Sequence, residues 1–380
     1  MTSGKTTIQA FRVFFPAASL YAALSVPLSV VAVMSGSGWP PGLLGAGHGH
    51  ELIFGFALAL IAGYTLGPQP PRLMVMLLGL WLVARVSWAL VPESWFAQAM
   101  SPAFALVLAR YVVPRFSAAK KWRNKTAAPL ILLICLLAPA FWLASETRAA
   151  YPPFAPDPYQ LMHSAILGLI LLMTFIGGRM IAPAVAGTLD KKGIALEARV
   201  QPRLEGALII LLATATILSL TALPPWPTAL ALLSSSVLIA LRTARWKLWH
   251  CPERPDLLML AVGYLWLAIG TAMTGIHLMM EVSVAPALHL VTIGALGTLS
   301  TSVMLRLAWQ RAHRRPPPPW QVLSVTLLTS IAAVARYLAG PAAFTEPGWL
   351  WLSATSWSLA YGLVSMQLFL LLRSPHTARK

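Results

Sequence analysis

Acidic residues and cysteines are scarce in this chain. Eleven Asp and Glu stand against 28 Lys and Arg, and the thiol content of all 380 residues is Cys135 and Cys251. One of these falls in an apolar run and the other in a basic loop, which excludes a disulfide framework. Charged residues of both signs make up only 10% of the sequence, too few for the surface of a soluble protein this long. Ten-residue segments of alternating polarity are missing as well, which argues against a transmembrane β-barrel. At the N-terminus the apolar run over 13–34 is too long for the h-region of a cleaved signal and has no small-x-small cleavage site.

What fills the chain instead is apolar sequence, 58% of all residues. Runs of roughly 17–25 apolar residues read as membrane-spanning helices, because a helix satisfies its own backbone groups in lipid. Twelve such runs are predicted, near 13–34, 51–66, 73–91, 95–113, 128–145, 159–178, 204–222, 226–241, 257–278, 284–307, 320–338 and 349–372. Proline and glycine punctuate them, as at Pro40-Pro41, Pro70-Pro71, Pro224-Pro225 and Pro316 to Pro319. The expected fold is an all-α polytopic membrane protein with a single transmembrane domain over 1–380. No internal repeat is evident.

The formal net charge of +17 invites a nucleic-acid reading, but the basic residues sit in short loops between spans, where orientation signals belong. With the N-terminus placed in the cytoplasm, every Lys and Arg falls on the cytoplasmic side except Arg148, in an outer loop, and Arg85 and Arg336, inside spans. This bias predicts both termini in the cytoplasm, a basic rim facing anionic lipid, and no nucleic-acid partner.

On that topology His250, His313 and His376 lie on the inner side. His48, His50, His163, His277 and His289 all fall at the outer ends of their spans. Each alone could be an interfacial cap. Together they suggest a metal or haem site near the periplasmic face, since imidazole is a common metal ligand and ionisable groups in spans mark function. The segment Gly47-His48-Gly49-His50-Glu51 is the focus. Two histidines two apart point in different directions on a regular helix, so they could share one ion only if the backbone here is irregular and the helix starts at or after His50. Glu51 could orient an imidazole from behind or meet the helix N-terminus. An imidazole set suits copper, haem iron or zinc over magnesium or calcium. After His289, the small residues Gly294, Ala295, Gly297 and Ser300 offer a smooth surface for a porphyrin or for another helix. Arg85 and Arg336, at the depth of the histidines, need anionic partners: haem propionates, or Glu51 and Glu281. Arg179 and Arg306 read as anchoring residues at inner span ends.

These residues resemble the NnrS family. Phe11, Arg12, Phe14 and Phe15 are similar to its opening segment. His48, His50, Glu51, Phe54, Gly55 and Phe56 match its histidine block, and Gly177, Gly178 and Arg179 its GGR block, with Pro183 one position late. Gly263, Tyr264 and Trp266, then His289, Thr292, Gly294 and Gly297, resemble two later blocks. Departures are Gly47, where the family commonly has a bulky residue, and the stretch Trp309 to Arg315. The resemblance implies a twelve-span protein of the bacterial inner membrane, with haem and copper as cofactors and a part in nitric oxide metabolism or nitrosative stress. Nitric oxide and an electron donor would be its partners beside the lipid bilayer. On that reading His48, His50 and His289 are the candidate metal ligands, and His163, His277, His289, Arg85 and Arg336 the candidate cofactor-binding residues. Catalytic turnover is left open. The alternatives are a metal-free transporter or export channel, and a copper-handling assembly factor.

Overall fold

Proline sets where several helices begin. Its fixed φ and missing N–H suit the first helical turn, and Pro71, Pro202, Pro255 and Pro319 each open a helix. The computed structural model describes residues 7–120, 125–150, 157–340, 343–345 and 347–373. Lys5, Lys121, Arg123, His376, Arg379 and Lys380, placed on the cytoplasmic side above, lie outside these residues. Twelve described helices are long and apolar enough to cross a membrane, matching the twelve predicted runs. They are α1 (Phe11–Met34), α2 (Ala46–Thr65), α3 (Pro71–Leu90), α4 (Trp95–Ser117), α5 (Ala127–Ala150), α6 (Pro158–Asp190), α7 (Pro202–Leu218), α8 (Trp226–Arg245), α9 (Pro255–Met279), α10 (Ala285–His313), α11 (Pro319–Ala339) and α12 (Gly348–Arg373).

Several helices run on past the predicted apolar segments. α6 continues to Asp190, through Pro183, α8 to Arg245 and α10 to His313. Gly177, Gly178, Arg179 and Arg306 therefore lie within continuous helix. The second span starts earlier than predicted, at Ala46.

The chain forms two compact units, Met1–Ala165 and Ile166–Lys380. In the first, α1 packs on α2, α3 on α4, and α4 on α5. Phe14, Phe15, Phe54, Phe56 and Phe104 fill its core and are almost fully buried. Lipid gives no hydrophobic drive between helices, so close packing at small residues carries the association. Gly63 of α2 illustrates this: a Cβ there would sit 2.6 Å from the Phe15 ring of α1. A two-residue antiparallel pair, β1 (Ile8–Gln9) with β2 (Pro68–Gln69), ties the N-terminal segment to the loop after α2. Arg115 of α4 donates to the carbonyls of Thr65 and Leu66 there, satisfying acceptors that a helix end leaves open.

In the second unit α8 packs on α7 and α9, α9 on α10, α10 on α11 and α12, and α11 on α12. The two resemblance blocks around Gly177-Gly178 and Tyr264 interlock here. The Tyr264 hydroxyl shares its hydrogen between the carbonyls of Met173 and Thr174, each 2.9 Å away. Arg242 donates to Thr174 O at 2.9 Å and to Glu205 at 2.8 Å. A Cβ at Gly177 would collide with the Tyr264 ring and one at Gly178 with the Arg242 guanidinium. The two glycines are thus places where α9 and α8 reach the α6 backbone. Arg179 lays its guanidinium over the Phe175 ring, 3.3 Å from the centroid.

Candidate functional site

The helix α2 is not uniformly α-helical. Ala46–His50 is α, Glu51–Ala57 is a π segment, and Leu58–Thr65 is α again. A π turn carries an extra residue in the helical ladder and is frequent at functional sites. His50 is the last residue before it.

The helical start at Ala46 changes the reading of Gly47 and Gly49. Among the glycines around them Gly45 takes the positive φ, at 51°, and the two between the histidines serve packing. A Cβ at Gly47 would strike Gly42 O, and one at Gly49 would lie 2.5 Å from the Met162 thioether. His48 and His50 therefore sit on continuous helix and diverge, as a two-residue spacing requires. The Nδ1 of His48 is 3.0 Å from the Ser29 hydroxyl of α1. His50 turns toward α3 and stacks on Trp88, with centroids 3.8 Å apart and planes at 20°. Phe54 and Phe141 complete an aromatic enclosure, at 5.3 and 5.0 Å. The irregular backbone needed for both histidines to share one ion is absent from this segment. Glu51 is likewise one turn past the helix start, not at its N-terminus.

Glu51 instead organises the site. It is fully buried, and its Oε1 accepts from Arg85 at 2.5 Å and from His50 Nδ1 at 3.0 Å. Its second oxygen accepts from the Tyr21 hydroxyl. Arg85 also donates to Ser101 of α4. Of the two partners considered for Arg85, the chain supplies the glutamate. With Nδ1 donating to a carboxylate, the neutral His50 ring carries its lone pair on Nε2, the arrangement that second-layer carboxylates impose on ligating imidazoles. The tautomer follows from the bond, because a carboxylate can only accept.

Two residue stripes position this network. On α3, Trp81, Arg85 and Trp88 share a helical face. Trp81 Nε1 donates to Gly55 O at 2.9 Å and Trp88 Nε1 to Gly42 O at 3.0 Å. Gly55 lets the guanidinium lie against α2, since a Cβ would stand 2.6 Å from Arg85 Nη1. On α1, Tyr21, Ser25 and Ser29 recur every four residues. Tyr21 meets Glu51 and Ser29 meets His48. Ser25 between them is 3% exposed, and its hydroxyl has no hydrogen-bond partner among the described residues. None of Tyr21, Ser29, Trp81, Trp88 or Ser101 stood out from the sequence. The spacing of two tryptophans four before and three after Arg85 was the available signal. His163 lies near the start of α6, half-buried, next to Met162.

The second unit repeats the key element. In α10, Ala285–His289 is α, Leu290–Gly297 is π, and Thr298–His313 is α. His289 is again the last residue before the π turn, and its Nδ1 donates to Ala285 O at 2.6 Å. His277 in the last turn of α9 donates from Nδ1 to Ser283 O at 2.6 Å, and its Nε2 lies 3.3 Å from the Tyr337 hydroxyl. The small residues after His289 are covered by side chains of neighbouring helices. A Cβ at Gly294 would lie 2.9 Å from the Trp266 indole and one at Gly297 2.9 Å from Trp357. Ser300 bonds the Tyr361 hydroxyl at 2.7 Å. Helix packing, not an open surface, is what these residues provide. Arg336 in the last turn of α11 is half-buried, and its Nη1 is buried with no hydrogen-bond partner among the described residues.

Among the described residues no three His, Cys, Asp or Glu side chains come together in a geometry that would hold a metal ion. Cys135 and Cys251 are buried free thiols.

Among protein-family models, the one described as NnrS protein matches residues 6–376. The comparison with curated proteins returned no match.

Proposed function

The chain belongs to the NnrS family, and from that premise we propose that it is a haem- and copper-binding protein of the bacterial inner membrane that acts in nitric oxide metabolism or the response to nitrosative stress. The observation that carries the reading is the pair of imidazoles at His50 and His289. Each ends an α segment where a π turn begins, and each donates Nδ1 to an oxygen. This keeps the lone pair on Nε2 and fixes the ring, as a ligand histidine requires.

Haem supplies one-electron chemistry and binding of diatomic gases when it is held. The residues of this chain orient the imidazoles, exclude water with Trp88, Phe54 and Phe141, and compensate charge through Glu51 and Arg85. His48, half-buried at the start of α2, is the better copper donor of the two in its segment, because it lies outside the aromatic enclosure. His163 and His277 are supporting positions. Nitric oxide is small, uncharged and soluble in lipid, so it needs no charged path to a site among these helices. An electron donor is a further partner of this reading. Both termini face the cytoplasm, by the distribution of Lys and Arg.

The test is a reduced-minus-oxidised visible spectrum of the full-length protein purified in detergent from a haem-sufficient host, with iron and copper analysis of the same sample. Haem bands with iron near one or two per chain are expected. His50→Ala or His289→Ala should each lose a haem signal, and His313→Ala should not. Copper without iron would favour metal handling. Neither metal in a folded sample would overturn the cofactor reading and put transport in front.

A further inference from the structure

Both units contain the same run of four helices. In the first, α1 packs on α2, α2 carries its histidine at the mouth of a π segment, and α3 brings an arginine and packs on α4. In the second, α9, α10, α11 and α12 take these parts in the same order. A glycine follows each histidine five residues on, Gly55 and Gly294. The arginine lies toward the C-terminal end of the next helix, Arg85 in α3 and Arg336 in α11. Because consecutive helices run antiparallel, each arginine is at the same end of its helix pair as the histidine. In the second unit Ala285–His289 packs against α11, and Tyr337, beside Arg336, meets His277.

The two runs differ at the residue that follows the histidine. The residue after His50 is Glu51, which takes the charge of Arg85. The residue after His289 is Leu290. Arg336 makes no ion pair among the described residues, and neither does Glu281, the carboxylate that follows α9. The side chain of Arg336 is half-buried and its Nη1 is buried with no acceptor among the described residues, and a donor kept from water without an acceptor is costly. Among the described residues, the first unit supplies its arginine with an anion and the second does not.

We propose that the second unit is an anion-binding site, in which Arg336 receives a carboxylate or similar oxyanion beside the His289 π turn. The planar guanidinium is built for such groups. Two sources share this chemistry: a propionate of a haem held by His289, which rests on the haem reading above, and a small free carboxylate, which does not.

The experiment uses full-length, haem-depleted protein in lipid nanodiscs. It is titrated with hemin and with hemin dimethyl ester, which lacks the carboxylates, followed by the Soret band, and separately with acetate by calorimetry. Arg336→Gln and Leu290→Glu are compared with wild type, the second placing a carboxylate where Glu51 stands in the other unit. Wild type should prefer hemin over its ester by about tenfold, as a charge-assisted bidentate contact implies, and both variants should lose the preference. Equal hemin preference in wild type and Arg336→Gln would overturn the site while leaving haem binding intact. Acetate bound by wild type and lost in Arg336→Gln, with no hemin bound, would uphold the site and overturn the haem reading. Binding of neither probe by folded wild type would overturn the proposal.

Discussion

Arg85 and Glu51 hold each other at 2.5 Å with only 3% and 0% of their side chains exposed. Neither charge can fall back on water if its partner is removed. Glu51→Leu or Arg85→Leu alone should therefore destabilise the protein by about 3–5 kcal/mol, and the double substitution should recover most of the loss, because a buried pair replaced by apolar groups is often neutral. Thermal unfolding in detergent, followed by tryptophan fluorescence, gives all four values of the cycle. Additive losses in the double variant would show that the two side chains do not act as a pair.

The interlock of α6 with α9 predicts a second coupling. A Cβ at Gly177 meets the hydroxyl and ring carbons of Tyr264 at once, and the ring is fully buried. Gly177→Ala should cost about 1–3 kcal/mol, the usual penalty of overpacking. In a Tyr264→Ala background, where the ring is gone, the same substitution should cost close to nothing, which a double-mutant cycle detects. An unchanged penalty would place the strain elsewhere on α6.

The membrane-spanning architecture was legible because lipid imposes it on composition: twelve apolar runs became twelve helices. The carboxylate behind His50 and the pairing of Arg85 with Glu51 were also within reach, as alternatives. The backbone at Gly47 and Gly49 was not. Glycine signals either a special φ or a close neighbour, and here Gly42 and Met162 decide for the neighbour. The π turns were invisible for a similar reason. Each holds a glycine against a bulky side chain of a neighbouring helix, Gly55 at Arg85, Gly294 at Trp266 and Gly297 at Trp357, and a hydropathy pattern carries no such contacts. The shared order of the two four-helix runs lies in the packing of helices whose sequences differ at most positions, Glu51 and Leu290 among them.

Cys251 lies outside the spans, just after α8 and before α9, and it is fully buried. Burial pushes its thiol pKa up, and Glu253 adds to the effect while Lys192 and Arg254 oppose it. The thiolate is the reactive species, so less of it is present at neutral pH than for an exposed cysteine. Maleimide labelling of the native protein at pH 7 should run on the order of tenfold or more below the rate after denaturation in SDS, by thiolate fraction and access together. Cys135, buried in α5, should behave alike. Fast native labelling of a Cys135→Ala variant would mean that the segment around Cys251 opens readily.

Asp256, at the start of α9 and 2% exposed, holds two guanidinium groups. Arg254 reaches it with two 2.8 Å bonds, and Arg306 of α10 also donates to it. The two arginines differ in what they can do without it. Arg254 is 26% exposed and can turn its charge to water, whereas Arg306 is 10% exposed on its side chain and cannot. Asp256→Asn should therefore cost about 3–5 kcal/mol, and nearly all of it should come from the stranded Arg306. Adding Arg306→Met to Asp256→Asn should restore most of the stability, while adding Arg254→Met should restore little. Thermal unfolding of the three variants separates the cases. Equal rescue by either methionine would assign the cost to repulsion between the two arginines rather than to burial of one.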